Sequence, residues 1–482
     1  MFWRGVVGYL PMNIVQGVVG LFSIVIFTRW LSPADYGVYA LAFSAMSLAH
    51  TLVFAWMEAA MARFHAPEAQ DGRLANLFTT LYRCWLGAAL VFTAATVAIL
   101  LAWPGDSPVK IAVAAGLAAI LARSLLKLNQ ERRRAAGDVR GAALMDMAQT
   151  VGGFVIGFGL IEAGLRGAAP IAGLGAAAAV VLVFVLPTEL RRAKGGEVVP
   201  NKARAYAAFG LPVALSLILA LALATTDRFL LAAFLNDTAV GVYHAGYSLA
   251  NRTLDVMFIW LGAAGGPALI MALERGGGAA LQKAAREQAG LMLALGVPAS
   301  VGLALVARPL ADVMVGPALR AGAASVTPWI AASALFAGLT TYYTHQAFTL
   351  GRRTSLLLLA MSIPAAANVG LNLLLIPRLG LEGAMIATTA SYGLGLAASI
   401  GLGRFAQPLP LPLGAVAKAV LASAVMGVVV VRLPSLGGLA ELGLKALAGA
   451  AVYGALAYAF DIAELRSKGR GAIGLLRTRA AT

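Results

Sequence analysis

Long apolar blocks dominate the sequence and leave little freedom in how the chain can fold. Most run for about 20–28 residues, enough for a helix to cross a hydrocarbon core of ~30 Å. A soluble protein carries about 25% charged residues, whereas this chain has 12%, together with 60% hydrophobic residues. Membrane β-barrels are excluded because their strands are ~10 residues long and alternate polar with apolar side chains. The sequence therefore predicts an all-α polytopic membrane protein.

Short polar breaks divide the blocks into about fourteen predicted helices, and the loops are too short to hold a soluble domain. The breaks carry turn residues, as in "SPADYG" at 32–37. We treat the first block, 5–27, as a retained helix because it is too long for the core of a cleaved signal peptide. The predicted helices are 4–30, 36–62, 75–103, 108–136, 139–163, 167–188, 205–233, 240–272, 284–308, 323–350, 354–377, 381–405, 411–433 and 438–460.

Lysine and arginine residues fall mainly on one side of the predicted helices. With the N-terminus inside, 23 of the 37 lie on the inside, 8 on the outside and 6 within helices. Cytoplasmic loops collect Lys and Arg, so both termini are expected in the cytoplasm. The net charge of +16 is then a sign of topology, and we expect no nucleic-acid partner. We expect Arg132, Arg133 and Arg134 to set topology and to contact anionic lipid.

A repeated segment relates the two halves of the chain. Residues 31–44 align with 235–248 through five identities in fourteen positions. They are Leu31/Leu235, Gly37/Gly241, Val38/Val242, Tyr39/Tyr243 and Ser44/Ser248. We expect the two glycines to allow close approach of the chain and the two tyrosines to suit an interfacial aromatic belt.

The repeat also predicts the domain organisation. Six helices precede the polar link 191–204, so both copies have the same orientation in the membrane. This indicates two six-helix lobes, 1–204 and 205–405, in a parallel pseudo-twofold repeat, a common transporter plan with the substrate site at the repeat interface. Residues 406–482 would add two helices and a basic cytoplasmic tail.

Three segments together resemble one known family. "TRWLSPADYGVYALAFS" at 28–44 and "TTDRFLLAAFLNDTAVGVYHAGYSLANR" at 225–252 resemble the polysaccharide (O-antigen and exopolysaccharide) flippases. Their superfamily, the MOP superfamily, includes the multidrug MATE exporters and the lipid II flippase. "LADVMVGPALRAGA" at 310–323 resembles the loop between helices 9 and 10 of that family, with Val315-Gly316-Pro317 in place of its aromatic start. The resemblance covers roughly residues 1–405.

The resemblance implies a transporter and not an enzyme. Its substrate would be an oligosaccharide on a polyprenyl pyrophosphate, moved from the cytoplasmic to the periplasmic leaflet of the bacterial inner membrane. Alternating access between the two lobes is the implied mechanism. Membrane lipids and polysaccharide polymerase or export proteins are the expected partners. We expect no cofactor, only a coupling ion (H⁺ or Na⁺) or the membrane potential.

Six cations fall within predicted helices, where ionisable groups are costly and usually functional. They are Arg83, Arg123, Lys127, Arg228, Arg252 and Lys418. A pyrophosphate in a low-dielectric cavity needs forked donors, which arginine supplies better than lysine. We therefore predict substrate contacts from the four arginines. Alternatively, neighbouring acids could pair with Arg228 and Arg252, and Arg83 could snorkel to the interface, as we expect for Lys127.

Uncharged and acidic residues within helices provide further candidates. Asn368 and Asn372 have helical spacing and could bind sugar hydroxyls, as could Asn13 and Gln16, although hydrogen bonding between helices explains them equally well. The candidate coupling-ion sites are Glu58, Asp146 and Asp227. Histidines such as His50 are expected to be packed or interfacial, and no Cys, His and Asp spacing indicates a metal site.

Two other functions stay open. A cation-coupled multidrug exporter of the same superfamily would be expected to have an acidic cavity, which the surplus of interior arginine disfavours. A non-transporting membrane scaffold of a polysaccharide synthase complex would leave the interior cations unexplained. The predicted function is therefore the flipping of a lipid-linked oligosaccharide for cell-surface polysaccharide synthesis.

Overall fold

The computed structural model describes residues 2–105, 107–464 and 466, with no side chain described before Met12 or at residue 13. The regular structure of these residues is entirely helical, which confirms the predicted all-α fold class. The predicted basic tail lies outside the described residues except for residue 466, and so does the side chain of Asn13.

The helices follow one another through short turns. The first eight are α1 Phe2–Trp30, α2 Pro33–Val53, α3 Ala55–Gln70, α4 Leu74–Ala102, α5 Pro108–Ala135, α6 Val139–Glu162, α7 Ala169–Ala193 and α8 Pro200–Phe234. The next are α9 Asp237–Leu305, α10 Ala307–Met314, α11 Arg320–Leu339, α12 Gln346–Leu350, α13 Thr354–Leu379, α14 Leu381–Gly403, α15 Leu413–Val431 and α16 Gly438–Ala459. A π-helical segment, Thr340–Thr344, joins α11 to α12.

Local sequence explains how two of these helices begin. Ser32 and Ser107 precede α2 and α5, and each serine side chain accepts a hydrogen bond from the backbone N–H three residues later. Proline occupies the first position of both helices, where its fixed φ and missing N–H are tolerated. The break in "SPADYG" is therefore a serine cap followed by a proline start.

Twelve helical segments in the described residues are long and apolar enough to span a membrane. One of them, Asp237–Leu305, contains two predicted helices and is broken at Gly277, which has φ 66° and ψ −159°. The apolar part of α1 is the shorter stretch Ile14–Trp30. Dividing α9 at Gly277 gives thirteen segments. Adding α1 gives fourteen, the number predicted.

Two predicted helices are interrupted. The helix predicted over 36–62 divides at Phe54, whose φ of −117° ends α2 and begins α3. The helix predicted over 323–350 contains the π-helical segment Thr340–Thr344. Neither interruption has a proline or glycine at the break, so no turn residue indicates them.

The described residues form two compact units, one up to His244 and one from Ala245 onward. In the first unit, α8 packs against α3 and α2, although its residues begin the second predicted lobe. The predicted lobes 1–204 and 205–405 were defined by the sequence repeat, and their boundaries stay a prediction.

The polar link between α7 and α8 is held against α4 in the first unit. The Glu197 N–H donates to Asn76 Oδ1 at 2.9 Å, and Thr79 Oγ1 donates to the Ala193 carbonyl at 2.9 Å. In the first turn of α8, Lys202 Nζ lies 2.6 Å from Glu68 Oε1 of α3. The charge distribution assigns the turns in this region to the inside. These contacts bring those turns together at one end of the first unit.

The two copies of the repeated segment cross at their glycines. A Cβ atom on Gly37 would lie 1.8 Å from the carbonyl oxygen of Asp237, and one on Gly241 would lie 2.1 Å from the carbonyl oxygen of Pro33. Side chains do not fit at such distances from backbone atoms. The expected close approach of the chain at these glycines is confirmed.

Tyr243, in contrast, does not lie in an interfacial belt. It is fully buried, and its hydroxyl donates to Asp227 Oδ2 at 2.5 Å. A buried phenol requires a hydrogen-bond partner, and the acid at the end of α8 supplies one. The belt prediction for this residue was wrong.

Arg132 is also buried rather than exposed to lipid. Its side chain is 5% exposed and that of Glu189 of α7 is 0% exposed. Arg132 Nε lies 2.6 Å from Glu189 Oε2, and Nη2 donates to Oε1 at 2.6 Å. The expected lipid contact is therefore wrong for Arg132, whose charge is compensated inside the protein.

We expect Gly37→Ala to destabilise the protein strongly. Overpacking costs about 1–3 kcal/mol, and here the added methyl meets a backbone carbonyl that cannot move without disturbing α9. The melting temperature of the detergent-purified protein measures the effect. Gly87→Ala in α4 is the matched control, because a Cβ there meets nothing within 4 Å. Equal melting temperatures for the two variants would contradict the crossing.

We expect Glu189→Gln to lower the free energy of unfolding by about 3–5 kcal/mol, because it leaves the buried Arg132 charge without a partner. Asp71→Asn is the control: Asp71 and Arg73 are 58% and 57% exposed and 3.8 Å apart, and such pairs contribute about 0–1 kcal/mol. Denaturation of both variants gives the comparison. A loss below 1 kcal/mol for Glu189→Gln would contradict the structural role of the pair.

Candidate functional site

A cavity of about 190 Å³ opens in the first unit between α2, α5 and α8. Helix α2 contributes Ser47, His50 and Thr51, which lie on one face at i, i+3 and i+4. Helix α5 contributes Arg123 and Lys127, one turn apart. The helical period therefore places three polar side chains opposite two cations.

Arg123 lines this cavity without a carboxylate partner. Its Nη1 lies 3.6 Å from Met46 Sδ, a weak acceptor. Within the described residues it forms no ion pair, although Glu58 and Asp146 are within electrostatic range. The guanidinium thus keeps strong donors available on the cavity side.

Lys127, also on the cavity wall, lies close to an acidic residue of another helix. Its Nζ lies 4.0 Å from Asp146 Oδ1 of α6, and the Asp146 side chain is 6% exposed. Gln16 Nε2 of α1 also donates to Asp146 Oδ2. The lysine was expected to snorkel to the interface, but the structure places it on the cavity wall beside a compensated acid.

His50 and Glu58 form the third polar feature of the site. His50 Nε2 lies 2.9 Å from Glu58 Oε1, and the two side chains are 20% and 18% exposed. His50 lies on α2 and Glu58 on α3, so the break at Phe54 separates the two. The histidine, expected to be packed or interfacial, lines the cavity.

The structure therefore brings three predicted site residues together, namely Arg123, Glu58 and Asp146. Sequence reasoning missed the roles of His50 and Lys127. The i, i+4 spacing of Arg123 and Lys127 was visible, but the acid behind Lys127 comes from a different helix. The proximity of His50 to Glu58 depends on the helix break, for which the sequence has no turn residue.

Asp227 and Arg228 lie elsewhere, at the end of α8. Asp227 is fully buried, and its Oδ1 accepts a hydrogen bond from the Arg228 N–H at 2.8 Å. Arg228 is 5% exposed, and its Nη1 donates to the Ala224 carbonyl at 2.8 Å. Neither residue lines the cavity, so their roles in substrate and ion binding stay predictions.

The other two predicted arginines are exposed. Arg83 lies on α4 and Arg252 on α9, in the second unit, and neither lines the cavity that contains Arg123. In the same unit, Asn368 and Asn372 of α13 are 0% exposed, and Asn372 Nδ2 donates to the Asn368 carbonyl at 2.8 Å. Contact of these four residues with substrate stays a prediction.

No group of three or more His, Cys, Asp or Glu side chains in the described residues could hold a metal ion. The cavity instead has the cations Arg123 and Lys127 on its wall, with Asp146 close to Lys127 and Glu58 close to His50. Such an arrangement suits hydrogen bonding and charge recognition.

A family model described as "Polysaccharide biosynthesis protein" matches residues 26–320, more than half of the chain. The chain belongs to this polysaccharide biosynthesis family. The resemblance of its motifs to polysaccharide flippases is thereby confirmed. No curated protein sequence matches the chain.

Solved structures with a similar fold include a lipid II flippase and transporters of the MOP superfamily. Lipid II flippase MurJ in an inward closed conformation aligns with a TM-score of 0.76 and 14% identity, over 94% of this chain and 98% of that one. An inward-facing multidrug resistance MATE transporter aligns with a TM-score of 0.59 and 14% identity, over 82% and 97%. A MOP superfamily transporter from Pyrococcus furiosus aligns with a TM-score of 0.54 and 13% identity, over 84% and 93%.

We expect Asp146→Asn to lower the stability of this family member by about 1–2 kcal/mol, because it removes a charged acceptor and leaves Lys127 uncompensated. Adding Lys127→Met should recover part of that loss. Thermal unfolding of both single variants and the double variant gives the coupling energy. Additive losses in the double variant would contradict the pairing.

Proposed function

We propose that this protein flips an oligosaccharide linked to polyprenyl pyrophosphate from the cytoplasmic to the periplasmic leaflet. The observation that carries the proposal is the cavity-lining Arg123 without a carboxylate partner. A cation held in a cavity between membrane helices is costly unless an anion compensates it. The acids nearby are already engaged, Glu58 with His50 and Asp146 with Lys127. An anionic substrate would supply the missing partner.

A pyrophosphate matches this donor set. The planar guanidinium of Arg123 can bind two phosphate oxygens at once, and Lys127 one turn away adds a point charge. The hydroxyls of Ser47 and Thr51 across the cavity are donors of the type that bind phosphate or sugar oxygens. The cavity would receive the head of the substrate, while the apolar prenyl chain stays in lipid.

Family and fold support the same assignment. A member of a polysaccharide biosynthesis family with the fold of a lipid II flippase is well suited to move a lipid-linked saccharide. In this proposal the protein lies in the bacterial inner membrane with both termini in the cytoplasm, as its positive charges predict. Alternating access and coupling to H⁺ or Na⁺ through Glu58 or Asp146 belong to the same hypothesis.

The polarity of the cavity disfavours a multidrug exporter. For the Pyrococcus furiosus transporter, reversed polarity of the binding pocket was taken to suggest a different function. In this chain both acids beside the cavity have cationic or histidine partners, and the group without one is Arg123. A cation-binding site would need the opposite balance. A scaffold without transport activity would not require a polar cavity at all.

We expect Arg123→Ala to abolish polymer export in cells while lipid-linked precursor accumulates on the cytoplasmic side. Arg123→Lys should retain partial export, because it keeps the charge but loses the bidentate fork. Arg432→Ala is the matched control, an exposed arginine that follows α15. Surface polysaccharide and membrane expression are measured together for each variant.

The double variant Arg123→Ala/Lys127→Met removes both cations of the cavity wall and tests the proposal most severely. Normal export at normal expression would contradict a cationic substrate cavity. Export of cationic dyes by the wild-type protein, reduced in Glu58→Gln or Asp146→Asn, would favour the multidrug alternative. If the wild-type protein supports neither polymer export nor dye export but still captures polysaccharide synthase proteins, the result would favour the scaffold.

A further inference from the structure

The second unit contains a larger cavity, of about 530 Å³, that the proposed substrate site does not use. The π-helical segment supplies Tyr343 and Thr344, and the end of α14 supplies Ser399 and Arg404. Its volume falls in the ~300–1,000 Å³ range of small-ligand sites. π-helical turns occur frequently at functional sites, so this cavity is a candidate for a second ligand site.

The wall of this cavity is mostly apolar but contains one uncompensated polar group. Ile400, Leu409, Leu411 and Leu413 provide the apolar surface. Ser399 is 0% exposed, and its hydroxyl has no hydrogen-bond partner in the described residues. A buried hydroxyl without a partner costs free energy, and a ligand acceptor in the cavity would relieve that cost.

Arginines gather at the mouth of the cavity. Arg404 lines it and is exposed. A Cβ on Gly351 would lie 2.7 Å from the Ala406 backbone, which places the exposed Arg352 and Arg353 beside the loop that covers the cavity. These three arginines form no ion pair in the part of the chain that the structure describes. The mouth therefore carries uncompensated positive charge.

From its place near the end of α14, we expect the cavity to lie at the depth of lipid headgroups. Ser399 precedes the end of α14 at Gly403 by one turn, about 6 Å. The charge distribution assigns the turns at 351–353 and 404–412 to the cytoplasmic side, where basic pockets between membrane helices recognise anionic lipid headgroups. A lipid with its phosphate at the rim would contact the arginines, and its apolar chain within the cavity would contact the apolar wall.

We propose that this cavity binds an anionic phospholipid from the cytoplasmic leaflet. Its phosphate would contact Arg404, one acyl chain would lie along Ile400 and the three leucines, and Ser399 would donate to an ester carbonyl. The site is separate in chemistry and residues from the cavity around Arg123, and it does not depend on the proposed transport function.

Titration of delipidated, detergent-purified protein with phosphatidylglycerol tests the site, with binding followed by native mass spectrometry and melting temperature. We expect stabilisation by phosphatidylglycerol but not by phosphatidylcholine or inorganic phosphate. Arg404→Ala should weaken phosphatidylglycerol binding about fivefold, as expected for one lost arginine near an anionic surface. Ser399→Ala should weaken binding further without destabilising the lipid-free protein, because its hydroxyl has no partner there.

Arg378→Ala is the matched control. This exposed arginine lies 24 residues beyond Thr354 on α13, about 36 Å from the Arg353 end, and its loss should leave binding unchanged. Equal stabilisation by phosphatidylcholine, equal stabilisation by inorganic phosphate, or unchanged binding in the double variant Arg404→Ala/Ser399→Ala would each overturn the proposal.

Discussion

Close backbone approach at small residues positions helix α2, on which the cavity of the first unit is built, and at Gly37 it brings the start of α2 against Asp237 at the start of α9. Farther along α2, a Cβ on Gly116 of α5 would lie 3.3 Å from the Ala42 carbonyl and 3.5 Å from Met46 Cβ, so α5 packs directly on α2. Arg123 follows Gly116 by about two turns. Close helix packing at small residues thus brings the cavity-lining faces of the two helices together.

Compensation of charge distinguishes the arginines of the first unit from one another. Arg132 is buried against Glu189, and Arg228 hydrogen-bonds within its own helix. Both therefore have partners within the protein. The neighbour of Arg123 is instead the Met46 thioether, a weak acceptor. The difference between these arginines depends on which neighbouring helix each side chain contacts. Residue type alone does not reveal it.

The sequence was sufficient for features that depend on one helix or one turn. Apolar block length predicted the helices, and the repeated Gly-Val-Tyr step predicted close approach of the chain at Gly37 and Gly241. Features that depend on contacts between distant helices were not accessible. The acid beside Lys127 lies 19 residues away on another helix, and the break at Phe54 has no turn residue. The candidate site was therefore only partly predicted: Arg123 and its acids were named as site residues, whereas Lys127 was expected to snorkel and His50 to be packed or interfacial.

The two cavities illustrate how a membrane protein uses polar groups that its apolar surroundings penalise. In the first unit, paired charges surround one cation that keeps its donors available, which suits a ligand that must bind and leave. In the second, the unpartnered Ser399 hydroxyl lies in a mostly apolar wall with arginines at its rim, which suits a resident lipid. A transported anion needs a site whose charge is compensated only while it is bound. A structural lipid needs a site that is incomplete without it, and the unpartnered Ser399 hydroxyl fits that condition.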